Sequence, residues 1–453
     1  MKPRRLTLTL ALAATAALLV STGASANGSK LILTDPFTQG GQHKTVVEPD
    51  TLSAGSTIVA VAKLGAFTDG GATDNGFATS TDNGASWTNG VLPGITKYTN
   101  PPGPYDRASD PSVAFDARHN VWIASSLALK VPGPTSAAVL ASRSTNGGLT
   151  WANPVTIAAA GSNQDFDKPW IVCDNTSTSP FYGSCYSQFD DFGHSSRLKI
   201  STSTDGGSTW VARTTPNLSV LGGQPLVQPS GKVIIPIDNA TETVLGALTS
   251  TNGGGTWTFV TITSITAATD PGTIRSGPLP SAEIDGAGRV FVTWEDCRFR
   301  SACSTNDLVY VTSSDGVNWS AVQRIPIDPV TSTVDHLLPG IGVDKATSGA
   351  TAHVSVTYYY FPNVSCTVST CQLDAGSISS SNGGATWSAP VQFAGPMSLE
   401  WLPSTTQGRM LGDYISTSFA GNGTSHGAVI VAKPPPLPGT FDVALYDPPI
   451  RFR

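Results

Sequence analysis

Six short turns of nearly identical sequence are spread along this chain, and they narrow the range of folds that it can adopt. Each turn holds an Asp or Asn that can accept hydrogen bonds from backbone amides, followed by a Gly that tolerates positive φ. A Trp ends each segment and can cover a hairpin with a large apolar face. The segments are STDNGASW (80–87), STNGGLTW (144–151), STDGGSTW (203–210), STNGGGTW (250–257), SSDGVNW (313–319) and SSNGGATW (380–387). Six such turns predict a repeat architecture.

A second repeat precedes each turn and marks the start of a strand. Each copy consists of one residue, often followed by Pro, and then a short run that is apolar or alternates between apolar and polar residues. A Pro fits there because the first residue of a strand can lack a ladder donor. The starts recur about every 60 residues, which is roughly the length that four strands and their turns require. The last interval is longer, at 75 residues. They are Glu48-Pro49, Asp110-Pro111, Lys168-Pro169, Gln224-Pro225, Leu279-Pro280, Leu338-Pro339 and Gly412-Asp413-Tyr414.

The six turns resemble the Asp-box, or bacterial neuraminidase, repeats of the sialidase superfamily. This resemblance implies an all-β fold, a β-propeller of four-stranded antiparallel blades in which each box joins the two outer strands. Seven strand starts favour seven blades, and six blades, typical of sialidases, are the alternative. The resemblance also implies that the boxes lie far from the active site, so they indicate the fold and not the chemistry.

The first 26 residues have the features of a secretory signal peptide. Lys2, Arg4 and Arg5 precede an apolar run, and Ala24-Ser25-Ala26 is a small-residue cleavage site. A membrane anchor is the other interpretation, which the short apolar run disfavours. We therefore expect residues 27–453 to form a single propeller domain that is secreted and extracellular.

Cysteine spacing and charge agree with export. The six cysteines fall into three close pairs, which suits small disulfides in an oxidising compartment. A zinc site is the alternative, but no C-x-x-C spacing occurs. The net charge of −6 and the lack of a basic run argue against nucleic acid as a partner. The predicted pairs are Cys173 with Cys185, Cys297 with Cys303, and Cys366 with Cys371.

Three arginines stand three to five residues ahead of strand starts: Arg107, Arg275 and Arg409. If these offsets hold, their side chains point to one mouth of the propeller, where arginines bind carboxylates through paired hydrogen bonds. Sialidases use three arginines on the carboxylate of the sugar, so the resemblance implies an acidic sugar as ligand. The alternative is that each arginine fixes its own loop through a nearby carboxylate, such as Asp110 or Asp413.

Glycoside cleavage also needs a proton donor and a group that stabilises the oxocarbenium ion, and sialidases use a Tyr nucleophile with a Glu base. The candidate nucleophile is Tyr414, beside Asp413, with the aromatic run Tyr358 to Tyr360 as a weaker candidate. The candidate bases are Glu283 and Glu295. The candidate acids are Asp110, Asp167, Asp106 and Glu48, and we also expect Asp167 and Asp413 to contact substrate.

One family feature is missing. Catalytic sialidases carry an F/Y-R-I-P motif ahead of the first box, and nothing before Ser80 matches it. The segment Arg324-Ile325-Pro326 follows the fifth box and is not its equivalent. No H-E-x-x-H or calcium loop is present, so no metal or cofactor is predicted.

Three functions remain open. The first is a secreted sialidase-like glycoside hydrolase that acts on a glycan at the propeller mouth. The second is a non-catalytic propeller that binds glycan or protein outside the cell. The third is another carbohydrate-active enzyme such as a polysaccharide lyase, for which His43, His119 and His336 near strand starts are candidates. In each case the expected partner is carbohydrate or protein, not a membrane, and the chain is expected to be a monomer.

Overall fold

The computed structural model describes residues 28–450 and residue 452. The predicted signal peptide, residues 1–26, lies outside them. The protein is all-β, as predicted: its helices in this described part are five single 3-10 turns. They span Phe192–His194, Pro271–Thr273, Ser301–Cys303, Gly349–Thr351 and Leu399–Trp401.

Most strands form antiparallel groups of four neighbours, which we number as units in chain order. A separate first strand, β1, spans Lys30–Leu33. Unit 1 contains β2 (Val46–Ala54), β3 (Thr57–Ala66), β4 (Ala72–Ser80) and β5 (Thr88–Val91). Unit 2 contains β6 (Arg107–Asp116), β7 (Val121–Lys130), β8 (Thr135–Ser144) and β9 (Val155–Ala159). Unit 3 contains β10 (Phe166–Cys173), β11 (Cys185–Asp191), β12 (Arg197–Ser203) and β13 (Val211–Ala212).

The first strand of unit 4 is split in two. The unit contains β14 (Val220–Gly223), β15 (Leu226–Val227), β16 (Val233–Asn239), β17 (Val244–Ser250) and β18 (Thr258–Ser264). The short strand β19 (Ile274–Arg275) follows. Unit 5 contains β20 (Ser281–Ile284), β21 (Val290–Asp296), β22 (Asp307–Ser313) and β23 (Gln323–Arg324). Unit 6 contains β24 (Asp335–Val343), β25 (Val354–Phe361), β26 (Gln372–Ser380) and β27 (Val391–Ser398).

The last unit joins both ends of the described chain. After β28 (Ser404–Thr405) and β29 (Gly408–Met410), unit 7 contains β30 (Ser416–Phe419), β31 (Ser425–Ala432) and β32 (Val443–Asp447). Its fourth strand is β1, which pairs with β32, and β33 (Pro449–Ile450) pairs with β31. Units 1 and 2 share one sheet through a single pairing, Ala72 with Ala108.

Successive units pack side by side in a cyclic order. The first strand of each unit contacts the first strand of the next, and β30 of unit 7 contacts β2 of unit 1. The apolar core lies between neighbouring units: one cluster joins units 1 and 2 around Trp122, and another joins units 5 and 6 around Tyr358. The largest cluster joins unit 6, unit 7 and unit 1.

We call the six repeated segments the box turns. Each begins on the serine that ends the third strand of its unit, so it lies at the end opposite the strand start. We name these two ends the box end and the mouth end. In the third box turn, Gly207 has φ of +75°, and an added Cβ would come 2.8 Å from Ile123 of unit 2. The turn therefore packs against the preceding unit, which explains why Gly is needed there.

The buried serine of each box turn has a role that the sequence did not reveal. Ser203 Oγ donates to Asp205 Oδ1 at 2.8 Å and accepts from Gly207 N at 3.0 Å. The other five serines make the same two kinds of bond, to Asp82, Asn146, Asn252, Asp315 and Asn382 and from a turn glycine.

Ser203→Ala is expected to lower the free energy of unfolding by about 1–3 kcal/mol, because Gly207 N and Asp205 then lose a partner in a buried turn. The measurement is urea denaturation of the disulfide-intact protein. Ser230→Ala is the matched control, since Ser230 is exposed and accepts one long bond of 3.4 Å. Equal stability of the two variants would contradict this role.

Three disulfides join the cysteine pairs that the sequence predicts: Cys173–Cys185, Cys297–Cys303 and Cys366–Cys371. The first links the facing residues of β10 and β11, and the other two close short loops after β21 and β25. None of the helices among residues 28–450 has the length and apolar character needed to cross a membrane.

Candidate functional site

The first strands of four units are bulged at their starts. Glu48, Asp110, Lys168 and Leu338 each precede a Pro and have φ between +43° and +52°. The register of each strand with its neighbour shifts there. Positive φ is unfavourable for side chains with a Cβ, so the surrounding structure must hold these residues. Three of the four residues carry charges, and they meet inside the ring of units.

We call this buried group of charges the mouth cluster. Its centre is Asp413, in the segment that leads into unit 7. Lys168 Nζ donates to Asp413 Oδ2, and Arg275 Nε donates to Asp413 Oδ1 at 2.7 Å. Beside them, Lys63 Nζ pairs with Glu48 Oε2 at 2.9 Å, and both side chains are at most 4% exposed. The members are Glu48, Lys63, Asp110, Asp167, Lys168, Asp190, Arg275, Asp413 and Tyr414.

The cations divide the carboxyl groups of the mouth cluster into two kinds. Burial opposes ionisation of Asp413, but Lys168 and Arg275 outweigh it and hold its pKa below the ordinary range. Lys168 and Lys63 likewise lower the pKa of Asp110 against the effect of burial. Burial raises the pKa of Glu48 and of Asp167 to about 7, and the negative charge of Asp110 adds to both shifts. Ionised and protonatable carboxyl groups therefore stand side by side near neutral pH.

Asp167 is, like Asp413, a partly exposed acid of this group. It is the second residue of β10 and lies opposite Asp190 of β11. Its neighbours Asp110 and Lys168 contact each other, since Lys168 N donates to Asp110 Oδ2 at 3.2 Å. A carboxylic acid that retains its proton near pH 7 beside an ionised carboxylate has the properties of a general acid.

Tyr414 lies in the mouth cluster, but its hydroxyl is engaged. The hydroxyl donates to the carbonyl oxygen of Pro111 at 3.0 Å. Its ring meets Trp170 edge to face, with centroids 4.9 Å apart. Burial, followed by the charges of Glu48 and Asp110, raises the pKa of Tyr414 well above its ordinary value. This environment disfavours the tyrosinate that a Tyr nucleophile would require.

Each of the three predicted arginines has a partner within the chain. Arg107 pairs with Asp69 at 2.6 Å and stacks on Phe67. Arg275 binds Asp413 through two nitrogens, and Arg409 Nη1 donates to the carbonyl oxygen of Leu402 at 2.7 Å.

The strand register separates Arg275 from Arg409. The short strands β19 and β29 pair in parallel, with Arg275 opposite Met410 and Arg409 opposite Ile274. Because successive side chains point to opposite faces of a strand, the two arginines project from opposite faces of this pair. Arg275 alone of the three joins the mouth cluster.

The strands β28 and β29 belong to a hairpin that extends over the mouth end. It pairs with β19 on one side, and the backbone of Thr406 donates to Thr68 of unit 1 at 2.9 Å. Gln42 Nε2 donates to the carbonyl oxygen of Ser404 at 2.9 Å. We call this segment, residues 399–415, the cap. Most of the cap lies in the 75-residue interval before the last strand start.

The two candidate bases lie outside the Asp413 pairings. Glu283, on β20, accepts from its neighbour Ile284 N at 3.2 Å, and its Oε2 is 3.9 Å from Lys345 Nζ. Glu295, on β21, accepts from Leu338 N at 3.1 Å. Burial and then Asp270 raise the pKa of Glu295 well above its ordinary value. Asp106 is a surface residue that pairs with Lys97 at 3.0 Å.

One set of possible metal ligands already has cations as neighbours. Asp307, Asp328 and His336 lie close enough to hold an ion. Arg300 pairs with Asp307 at 2.6 Å and with Asp328 at 2.7 Å. Arg324 pairs with the same two carboxylates, with Asp307 at 2.7 Å and with Asp328 at 2.5 Å. Two guanidinium groups supply the positive charge that a metal would otherwise provide, so this set fits an internal ion-pair network.

Three residues of the mouth cluster were not predicted from the sequence: Lys63, Lys168 and Asp190. A signal for Lys168 was present, because it occupies the same position before Pro as Glu48 and Asp110. Lys63 is the one charged residue in the otherwise apolar strand β3, which is also a signal. Asp190 faces Asp167 across β10 and β11, and that pairing becomes visible only in the strand register.

Solved structures similar to this chain include several sialidases. A Hadza microbial sialidase is 15% identical, with a TM-score of 0.48, over 70% of this chain and 64% of its own. Trypanosoma rangeli sialidase in complex with sialic acid is 12% identical, with a TM-score of 0.49, over 78% of this chain and 58% of its own. The NanB sialidase of Streptococcus pneumoniae is 13% identical, with a TM-score of 0.45, over 93% of this chain and 70% of its own.

These matches concern the fold and transfer no residue role. Sialidases are among the similar structures, as the resemblance in the sequence predicts. The chain spans about three fifths of the length of the Hadza and Trypanosoma chains, 64% and 58%. A protein of unknown function from Dyadobacter fermentans is also similar, at 13% identity and a TM-score of 0.48, over 78% of this chain and 100% of its own. No protein-family model matches the sequence, and no curated protein matches it.

Proposed function

We propose that this chain is a secreted, seven-bladed β-propeller that hydrolyses a glycosidic bond at its mouth end, with Asp167 as the proton donor. Seven units in cyclic order and seven strand starts support the blade count. The three disulfides and the predicted signal peptide support secretion.

The observation that carries this proposal is the division of protonation states within the mouth cluster. Asp167 is partly exposed and has a pKa raised to about 7, while Lys168 and Lys63 favour ionisation of the neighbouring Asp110 despite burial. Glycoside hydrolysis needs a carboxylic acid to protonate the leaving oxygen and a negative charge to stabilise the oxocarbenium ion. Asp167 supplies the first, and Asp110 supplies the second.

Arg275 fits the recognition of an acidic or hydroxylated sugar. Its Nε and Nη2 bind Asp413, whereas Nη1 has no hydrogen-bond partner within residues 28–450. The side chain is 23% exposed, more than Lys168 or Asp413. A guanidinium nitrogen that is fixed in place and left with a free donor can bind a carboxylate or a hydroxyl group of the substrate.

The test is release of fluorophore from a panel of fluorogenic glycosides, including a sialic acid glycoside, by the purified mature protein. Asp167→Asn is expected to lower kcat at least about 100-fold, the usual contribution of a general acid. The rate of the unchanged protein is expected to fall as pH rises through about 7, because Asp167 then loses its proton. Asp106→Asn is the matched control, since that carboxyl pairs only with surface groups.

A non-catalytic glycan-binding propeller is the second candidate. Two observations favour it. Asp413 is paired with two cations, and the hydroxyl of Tyr414 is hydrogen-bonded to a backbone carbonyl, so neither group is available for catalysis. On this hypothesis no glycoside of the panel is turned over at any pH. Binding to a glycan array would persist in Asp167→Asn and weaken in Arg275→Gln. Turnover that Asp167→Asn leaves unchanged would contradict the role of this acid.

A further inference from the structure

A cavity lies at the box end of the first strands, where the units meet. It has a volume of about 270 Å³ and is lined by residues from the first strands of all seven units. The mouth cluster lies at the starts of these strands. Apart from Gln224, at the strand start of unit 4, the cavity residues lie further along the strands and in the turns that follow. Trp170 marks the division between the two regions, because it lines the cavity and its ring also contacts Tyr414.

The lining presents hydrogen-bonding atoms that the chain leaves unused. Gln224 is only 7% exposed, and its Oε1 accepts from Ala282 N at 2.5 Å. Its Nε2 has no partner in the part of the chain that the structure describes. Glu283 Oε2 is occupied by Ile284 N, while its Oε1 is likewise without a hydrogen-bond partner among those residues. A buried amide with an unused donor is costly unless a ligand or water satisfies it.

The charge of the lining selects against anions. Asp50, Glu283 and Asp285 are the acidic residues of the lining, and Lys345 is the cation among them. The carboxyl groups of Asp50 and Asp285 accept hydrogen bonds from backbone amides, which leaves Glu283 as the acid with an oxygen open to a ligand. An additional negative charge from a ligand would face these acids in a confined space of low dielectric constant. Neutral hydroxyl groups, by contrast, can donate to carboxylates and accept from the Gln224 amide.

We propose that this cavity binds one neutral sugar ring, with an apolar face of the ring against Trp170 and its hydroxyl groups bound to Gln224 and Glu283. The volume is close to the lower end of small-molecule sites, about 300–1,000 Å³, which suits a single ring. An indole beside a few convergent polar groups is the composition of such a site. The proposal is independent of hydrolysis at the mouth end, because binding alone tests it.

The experiment is isothermal titration of the mature protein with D-glucose, D-galactose, D-mannose and N-acetyl-D-glucosamine, and with D-glucuronate as the anionic comparison. We expect at least one neutral sugar to bind with a Kd no weaker than about 1 mM, and D-glucuronate not to bind at the cavity. Glu283→Gln is expected to weaken that binding about tenfold, because it replaces a charged acceptor. Lys345→Gln is a second variant, at a position that is 56% exposed and so poses little risk to folding.

Two matched variants separate the cavity from the mouth end. Glu400→Gln, at an exposed residue of the cap, and Asp167→Asn, in the mouth cluster, are both expected to leave the affinity unchanged. The proposal is overturned if no neutral sugar binds at concentrations up to about 10 mM. It is also overturned if binding is insensitive to both cavity variants, or if Asp167→Asn abolishes it.

Discussion

Lys168→Met is expected to lower the free energy of unfolding by about 3–5 kcal/mol, the usual cost of removing one partner from a buried ion pair. Lys168 is 9% exposed and pairs with Asp413, which is 11% exposed. Its charge is also the largest attraction that favours ionisation of Asp110. Without it, several carboxyl groups share a buried site with fewer cations, so they must either take up protons or remain unpaired. Chemical denaturation of the disulfide-intact protein at pH 7 measures the loss.

Lys97→Met is the matched control for this measurement. Lys97 also pairs with an aspartate, at 3.0 Å, but it is 51% exposed, and exposed pairs contribute about 0–1 kcal/mol. The double variant Lys168→Met/Asp413→Asn is expected to be more stable than Lys168→Met alone, because it also removes a buried carboxylate that lost one of its two cationic partners. If Lys168→Met costs no more than Lys97→Met, the mouth cluster does not depend on this ion pair.

The sequence predicted the repeating parts of this protein better than the unique ones. The box turns, the strand starts and the three cysteine pairs are local patterns, in which the interacting residues lie within a few positions of one another. A turn such as Ser203 to Trp210 carries its own hydrogen bonds, so its sequence is sufficient to predict a hairpin. The resemblance that these turns carry implies all-β structure and four-stranded sheets, and the spacing of the strand starts agrees with it.

The prediction that three arginines point to one mouth rests on their distances along the chain from the strand starts. Within the cap, that distance does not determine the direction of a side chain. Arg275 and Arg409 lie at comparable distances before a strand start, but both belong to short strands that pair with each other over the mouth end. Whether their side chains share a face depends on the register of that parallel pair. No local pattern in residues 399–415 specifies this register, because it is set by contacts with Thr68 and Gln42, more than 300 residues earlier.

The mouth cluster illustrates an intermediate case. Asp110, Asp167 and Asp413 stand at strand starts, which predicts that they belong to the site, and they do lie together with Arg275 and Tyr414. Their roles were not predictable, because protonation depends on which cations are adjacent and how deeply each group is buried. Lys168 and Lys63 determine that division, and their positions follow from the bulged strand starts and the packing of the ring.

The protein is expected to be most stable in mild acid and to lose stability as pH rises from about 4 to about 8. Burial raises the pKa of Asp50, Asp74 and Glu48 to about 7, from ordinary values of 3.8, 3.8 and 4.5. Between the ordinary and the raised pKa, the folded state binds more protons than the unfolded chain, so the free energy of unfolding falls with increasing pH. Asp413 and Asp110 have lowered pKa values, so they have the opposite effect on the free energy of unfolding, which falls as they take up protons. This effect begins only when pH falls below about 4.

Asp74 allows this pH dependence to be tested at one residue. Thr96 Oγ1 lies 2.8 Å from the carbonyl oxygen of Thr73 and 2.5 Å from Asp74 Oδ2. A hydroxyl group has one proton, so both contacts are hydrogen bonds at the same time only when Asp74 is protonated. An Asn at this position carries its own donor and does not titrate. Asp74→Asn is therefore expected to reduce the difference in unfolding free energy between pH 5 and pH 8 by on the order of 2 kcal/mol.

The difference between two pH values is more informative here than the stability at either one. Asn cannot keep the 3.2 Å bond that Asp74 Oδ2 accepts from Thr96 N, so Asp74→Asn loses some stability at pH 5 for a reason unrelated to titration. Asp69→Asn is the matched control, because Asp69 is 53% exposed and Arg107 lowers its pKa. That substitution is expected to leave the difference between pH 5 and pH 8 unchanged, since Asp69 is ionised at both values. If Asp74→Asn also leaves the difference unchanged, Asp74 is ionised in the folded protein, and the acid-shifted stability must arise from other carboxyl groups.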